Sequence, residues 1–302
     1  MASLPEISPV TVPLLVSSKG ADKIAMMTAY DAPTAALLDE AGLDVLLVGD
    51  SLAMTVYGET NTLSATMETM LRHAKAVSRS CRRALVVGDM PFLSYQTDTA
   101  RAVENAGRFL AEGGCAAVKL EGGTRSLPAI EAILSADIPV MGHIGWTPQA
   151  ANAAGKVRVL GKTRDQARAL LHDALAVQEA GAFAIVLELV PAQLAAAITE
   201  RLQIPTIGIG AGAGCSGQVQ VVTDLLGLDS WHPKHAKPYA DLRGTILAAA
   251  RAYADEVAAG TFPGPEQTVR MDDAVLDAVL GRSDADQGTD PIPEGIPLDR
   301  DL

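Results

Sequence analysis

Residues 84–123 read ALVVGDMPFLSYQTDTARAVENAGRFLAEGGCAAVKLEGG. The apolar run 84–87 ends on Gly88-Asp89, residues 99–112 repeat apolar positions at helical spacing, and a second apolar run, 116–120, carries Lys119-Leu120-Glu121 at its end. An apolar run, a helix and another apolar run make one strand–helix–strand unit, because strands of a parallel sheet are covered on both faces and lose the polar alternation of an exposed sheet. Outward from this stretch the rhythm repeats. Further runs rich in Val, Ile and Leu lie at 24–29, 45–48, 139–141, 184–187 and 206–209, with helical patterns at 33–40, 66–80, 164–179 and 192–201. With an eighth strand expected at 233–236 and a long last helix at 241–258, the α/β chain reads as a (β/α)8 TIM barrel. A doubly wound open sheet fits the same periodicity, which does not distinguish a closed sheet from an open one.

Composition narrows the function. Of 302 residues, 48% are hydrophobic and 20% charged, which excludes fibrous and fully disordered chains, and there is no run of 18 apolar residues to span a membrane. Aromatics at 4% and a net charge of -12 argue against nucleic acid as a partner, since phosphate binding needs a basic surface. Cys81, Cys115 and Cys215 are far apart and odd in number, neither a disulfide framework nor a metal spacing, and fit a reducing cytoplasm. No basic segment followed by an apolar core opens the chain, so a cytoplasmic, untargeted protein is expected. Residues 1–265 are read as the barrel domain and 266–302 as an acidic, disordered tail with one short amphipathic turn at 272–280. From 271 onward there are nine acidic residues against two basic ones, interrupted by Pro291, Pro293 and Pro297.

The strand ends carry the chemistry. Tyr30-Asp31, Gly49-Asp50-Ser51, Gly88-Asp89, Lys119-Leu120-Glu121, Gly142-His143 and Leu187-Glu188 all follow apolar runs, and in a closed barrel those ends meet at one mouth. A single acidic residue there is an ordinary helix cap, but several carboxylates with one Lys and one His repel one another unless a cation intervenes. Carboxylates without a Cys/His set point to a hard ion such as Mg²⁺ rather than Zn²⁺. Gly208-Ile-Gly-Ala-Gly-Ala213 fits a loose dinucleotide pattern, yet it comes after six strand–helix units rather than in the first, so close backbone packing is the better reading.

At these residues the sequence resembles the ketopantoate hydroxymethyltransferases (3-methyl-2-oxobutanoate hydroxymethyltransferases). The matching segments are Thr28-Ala-Tyr-Asp31, Leu47-Val-Gly-Asp-Ser51, Asp89-Met-Pro-Phe92, Val118-Lys-Leu-Glu-Gly-Gly123, Gly142-His-Ile-Gly145 with Thr147-Pro-Gln149, Leu187-Glu188 with Val190-Pro191, Ile207-Gly-Ile-Gly-Ala-Gly212 and Phe262-Pro-Gly264. They keep the family's order over residues 23–265. The resemblance implies a barrel of the phosphoenolpyruvate mutase/isocitrate lyase type, with Asp50 and Asp89 as direct Mg²⁺ ligands that also meet the substrate, and Glu121 completing the metal site directly or through water. Ser51 and Lys119 would hold the 2-oxo acid, His143 would contact it, and Glu188 would be the general base. It further implies hydroxymethyl transfer from 5,10-methylenetetrahydrofolate to 3-methyl-2-oxobutanoate through a Mg-stabilised enolate, the first committed step of pantothenate synthesis, in a homodecamer of two pentameric rings. A 2-oxo acid that chelates Mg²⁺ gains an acidic adjacent C–H, and the charge of the enolate falls where Lys119 and the ion are placed to stabilise it.

The chain departs from the family pattern at Gly155-Lys-Val-Arg158 in place of Gly-Gly-Tyr-Lys, at Ser216, Thr223 and His235, and at Gln267-Thr-Val269. These positions bear on folate affinity, loop closure and subunit contacts rather than on the oxo-acid chemistry. The competing reading is another Mg²⁺-dependent 2-oxo-acid lyase or mutase of the same superfamily. Such a lyase uses a reactive Cys on a mouth loop, which makes Cys115 and Cys215 the positions that discriminate.

Overall fold

The computed structural model describes residues 8–282. Eight parallel strands close into a barrel in chain order: β1 (Ile24–Thr28), β2 (Val45–Val48), β3 (Leu85–Asp89), β4 (Ala117–Lys119), β5 (Val140–Gly145), β6 (Ala184–Glu188), β7 (Thr206–Ile209) and β8 (Gly217–Gln220). β8 closes the ring on β1, with Gly217 opposite Ile24 and Gln220 opposite Met27. Closure settles the choice between barrel and open sheet.

Strand parity splits the core in two. Val45 and Leu47, Leu85 and Val87, Ala117, Met141, Ala184 and Val186, Ile207 and Val219 pack together as the barrel interior. Their neighbours Leu46, Val48, Val86, Val118, Ile185 and Leu187 face the surrounding helices and pack with Phe109, Ile133 and Ile198. Successive strand side chains point to opposite faces, so each strand supplies both cores at once. Val10 and Leu15, the latter on the helix Val12–Ser17, join the inner cluster. The Val10 N–H bonds the Arg83 carbonyl just before β3, which places this segment at the N-terminal end of the barrel.

The helices start where capping predicts. Thr66, Asp98 and Thr163 each accept a backbone N–H of the first turn of Met67–Ser80, Thr99–Ala111 and Arg164–Glu179.

The eighth strand lies elsewhere than the sequence leads one to expect. Residues 233–236 form no strand, and β8 is Gly217–Gln220, which follows β7 after only seven intervening residues and no helix. Parallel strands usually need a crossover of a dozen residues or more. Here the Gly-rich run makes the short return possible by lying directly on the helix Ala192–Arg201. A Cβ at Gly212, whose φ is +77°, would stand 2.5 Å from the Ala192 Cβ, and one at Gly214 would stand 2.7 Å from the Ala196 Cβ. The run leads into a strand and not a helix, so it lacks the strand–turn–helix context of a dinucleotide fingerprint.

The chain divides into two compact units at Arg243/Gly244. The second holds most of the helix Leu242–Ala259, a cis Phe262–Pro263 peptide and the helix Asp273–Val279, which occupies the amphipathic turn expected at 272–280. The Pro-interrupted part of the expected tail, 283–302, lies outside the described residues. Among the described residues no helix is long and apolar enough to cross a membrane.

Candidate active site

The inward parity of each strand continues one step past the apolar layers. After Val87 comes Asp89, after Ala117 comes Lys119 and then Glu121, after Met141 comes His143, and after Val186 comes Glu188. The polar residues are therefore the topmost layer of the barrel interior, held by the strands that hold the core. Asp50 reaches the same place differently, on the turn between β2 and the short helix Leu52–Thr55, where its N–H donates to Asp89 Oδ2 at 3.3 Å. Asp50, Asp89, Lys119, Glu121 and His143 are all buried. Glu188 keeps 17% of its side-chain surface open, the most accessible of the four carboxylates at the mouth.

Lys119 Nζ is bound to Asp89 Oδ1 at 2.7 Å. Burial opposes the ammonium charge, but Asp89, Glu121 and Asp50 together outweigh it and raise the Lys119 pKa, so the residue is a fixed cation. One cation does not balance four carboxylates. Burial first, and the Asp89 charge second, lift Asp50 to about 7. Glu121 is raised well above the usual carboxyl range by burial and by Asp50. Glu188, at the end of an apolar strand, is raised to about 7 chiefly by burial. His143 is held neutral, since burial and the Lys119 charge push its pKa well below the ordinary value.

The His143 ring stands between two carboxyls, with Nε2 3.2 Å from Glu188 Oε2 and Nδ1 3.6 Å from Glu121 Oε1. Neither approach is aligned as a hydrogen bond, and both ring nitrogens and Glu121 Oε1 are buried without a partner. Unpaired buried polar atoms are costly, and a cluster of three at the mouth is what a functional site tolerates and a polar ligand relieves.

Backbone detail fixes Glu188. Gly145, with φ +94°, lets the end of β5 approach so closely that a Cβ there would lie 2.2 Å from the Glu188 carbonyl oxygen. The Trp146 N–H donates to that same oxygen at 2.8 Å. Leu189, next along the chain, has φ +50°, a left-handed conformation uncommon for a branched side chain.

Several expected residues converge and others do not. Asp50, Asp89, Lys119, Glu121, His143 and Glu188 share the mouth, and Ser51 stands at its edge, its hydroxyl 2.9 Å from Tyr30 Oη. Asp31 is instead an exposed cap, accepting the Thr34 N–H at 2.8 Å. Among the described residues no group of three His, Cys, Asp or Glu side chains is arranged to hold a metal ion, so Asp50, Asp89 and Glu121 do not form a ready-made cage. Asp89 is instead bound by Lys119 at 2.7 Å, and Asp50 accepts from the Gln149 side chain at 3.0 Å. The donor chemistry nevertheless suits Mg²⁺. This ion is ordinarily held by one or two carboxylates with water and substrate oxygens, and the excess of buried negative charge favours a cation.

Two further residues belong to the site and have no assignment from the sequence. Tyr95 Oη lies 2.8 Å from Gln149 Oε1 and accepts the Glu121 N–H at 3.1 Å, and both residues are buried. They form the wall between the mouth and an adjoining cavity of about 640 Å³ that Phe92, Arg125 and Asn152 also line. The signal for Gln149 in the sequence was Thr147-Pro-Gln149, a matched motif whose residue types alone announce no chemistry, and Tyr95 lies outside every matched segment.

The three cysteines sit at the opposite end. Cys81 precedes β3, Cys115 precedes β4 and Cys215 precedes β8, all on the N-terminal side of the barrel. Burial raises the Cys115 thiol to about 12 and the Cys81 thiol to about 11. None is a thiolate nucleophile at the mouth.

A sequence profile described as ketopantoate hydroxymethyltransferase matches residues 9–265. The chain is similar to the 3-methyl-2-oxobutanoate hydroxymethyltransferase of Chloroflexus aurantiacus, with 58% identity over 264 residues that cover 87% of this chain and 93% of the relative. Among solved structures it is similar to phosphonopyruvate hydrolase, with TM-score 0.57 and 13% identity over 90% of this chain and 96% of that one. It is also similar to 2,3-dimethylmalate lyase, a member of the PEP mutase/isocitrate lyase superfamily, with TM-score 0.54 and 17% identity over 90% and 94% of the two chains. At these identities the two structures speak for the barrel fold alone.

Proposed function

The chain belongs to the ketopantoate hydroxymethyltransferase family, and from that premise we propose that it transfers a hydroxymethyl group from 5,10-methylenetetrahydrofolate to 3-methyl-2-oxobutanoate, giving ketopantoate. The observation that carries the reading is the convergence at the mouth of Lys119, bound to Asp89 at 2.7 Å, and Glu188, the most accessible carboxyl there, which lies 3.2 Å from His143 and whose pKa burial raises to about 7.

Asp50 and Asp89 are the residues to hold Mg²⁺, with Glu121 beside them directly or through water. Bound there, the ion supplies Lewis-acid polarisation of the oxo-acid carbonyl. Ser51 and Lys119 take the carboxylate and carbonyl end of the 2-oxo acid. Glu188, poised near neutrality, accepts the proton from C3. Negative charge then develops on the carbonyl oxygen, and Lys119 faces it with a charge that Asp89 has already oriented, so little reorganisation accompanies the step. Water releases the one-carbon unit from both folate nitrogens at the oxidation level of formaldehyde, leaving tetrahydrofolate; the C3 carbanion equivalent adds to that carbon, and the alkoxide formed takes back the proton held by Glu188 to become the hydroxyl of the product. Neutral His143 borders both Glu188 and the substrate space, where it donates or accepts a single hydrogen bond without adding charge.

The lyase alternative has no support at the mouth, because the three thiols lie at the other end of the barrel. Assembly as a decamer belongs to the same proposal. Incubation with 3-methyl-2-oxobutanoate, methylenetetrahydrofolate and Mg²⁺ tests the activity: ketopantoate detected by mass supports it, and unchanged oxo acid contradicts it.

A further inference from the structure

We propose that Gln149 is a positioning residue that sets the Asp50 carboxylate for the divalent cation, with Tyr95 fixing the direction of its amide. The proposal rests on the reading of Asp50 as a metal ligand.

The geometry is specific. Gln149 Nε2 donates to Asp50 Oδ2 at 3.0 Å and to the Met90 carbonyl at 2.9 Å. Its Oε1 stands 2.8 Å from Tyr95 Oη and accepts from Gln96 Nε2 at 3.1 Å. Its backbone N–H donates to Glu121 Oε2 at 3.1 Å. All four capacities of the amide are thus used, and one residue ties together the segments that follow β2, β3, β4 and β5. The orientation is set by chemistry, because a flipped amide would turn its oxygen toward the Met90 carbonyl, which has no hydrogen to donate.

A neutral donor is what this position requires. A second Lys or Arg would neutralise Asp50 and weaken its hold on a cation, whereas an amide restrains the carboxylate and leaves its charge available. Ligating carboxylates are commonly held by such hydrogen bonds, and losing the partner typically costs ~10- to 100-fold in metal affinity or activity. Tyr95 adds a second restraint: its hydroxyl lies 2.8 Å from Gln149 Oε1 and 3.2 Å from the Glu121 carbonyl oxygen, and its oxygen accepts the Glu121 N–H at 3.1 Å.

Mn²⁺, which takes the same oxygen ligands, is the probe, and free Mn²⁺ is followed by electron paramagnetic resonance with no substrate present. Gln149→Met keeps the length and loses every side-chain donor; its Mn²⁺ affinity should fall ~10- to 100-fold relative to the wild type, read on protein whose cooperative thermal transition in EDTA shows that it is folded. Tyr95→Phe should weaken binding in the same direction by a smaller factor. Affinity within twofold of the wild type in a folded Gln149→Met protein overturns the proposal. Should that variant not fold, Tyr95→Phe decides: a loss of threefold or more supports the role, and unchanged affinity overturns it. A wild-type protein that does not bind Mn²⁺ removes the metal reading and the proposal together, whereas equal binding by wild type and variants removes only the role of Gln149.

Discussion

Lys119 and Asp89 are the pair on which the mouth depends. Both are buried, and they are joined at 2.7 Å, so removing one partner strands the other charge in a low-dielectric interior. Lys119→Met is expected to destabilise the protein by ~3–5 kcal/mol, the usual result of breaking a buried pair. Asp50→Asn should do the reverse. It preserves shape and removes a carboxyl facing Asp89, so the metal-free protein should melt no lower than the wild type while metal-dependent turnover is lost. Thermal melts in EDTA with parallel assays check both; a lower melting point together with normal turnover for Asp50→Asn would contradict the site assignment. At this scale the sequence was informative wherever a residue's type is its chemistry. Asp50, Asp89, Lys119, Glu121, His143 and Glu188 stand at strand ends, and parity delivers all but Asp50 to one layer. Gln149 was not legible in that way, because its role comes from loop geometry that joins four segments. Asp31 carried the same signal as Asp50 but became a cap, the commoner fate of an acidic residue before a helix.

The strands and helices could be read because apolar runs and helical spacing are local patterns. β8 escaped because Gly217-Gln-Val-Gln220 has a single large apolar residue and no helix before it. The signal lay in the glycines themselves, whose missing side chains let the connection return over the helix Ala192–Arg201. Two substitutions separate close packing from backbone strain. Gly20 and Gly212 both have positive φ, +83° and +77°, but only at Gly212 would a Cβ collide with a neighbour. Gly20→Ala should cost ~1 kcal/mol from the left-handed backbone alone. Gly212→Ala should add ~1–3 kcal/mol of overpacking, with each kcal/mol worth ~2–4 °C in a chain of this size. Equal melting temperatures for the two variants would contradict the packing explanation for the Gly-rich run.

For the whole molecule, the buried carboxyls couple stability to pH in an unusual direction. Asp50 and Glu188 stand at about 7 and Glu121 higher, so between their unfolded values near 4 and the folded values the native state holds protons that the unfolded chain has released. Stability therefore falls as pH rises through that window. His143 opposes this below its ordinary value, since only the unfolded chain protonates it, but it is one group against three. The metal-free protein should melt higher at pH 5.5 than at pH 8, and added Mg²⁺ should raise the midpoint more at pH 8, where the ligands are already ionised. A metal-free midpoint that climbs from pH 5.5 to 8 would contradict the electrostatic account. Barrel closure itself lay beyond periodicity, which is the same for open and closed parallel sheets; only the β8–β1 pairing decides it.

Solvent exchange measures the proposed removal of the C3 proton by Glu188 directly, without product formation. Wild-type protein with Mg²⁺ in deuterated buffer should exchange the C3 proton of 3-methyl-2-oxobutanoate, seen as the loss of its proton resonance. Glu188→Gln, close in size and not assigned to the metal, should still bind Mg²⁺ and the oxo acid but exchange ~10²- to 10⁴-fold more slowly, the typical cost of losing a positioned base. Exchange at the wild-type rate in the Glu188→Gln variant would contradict the claim and transfer the role to another group at the mouth, His143 first.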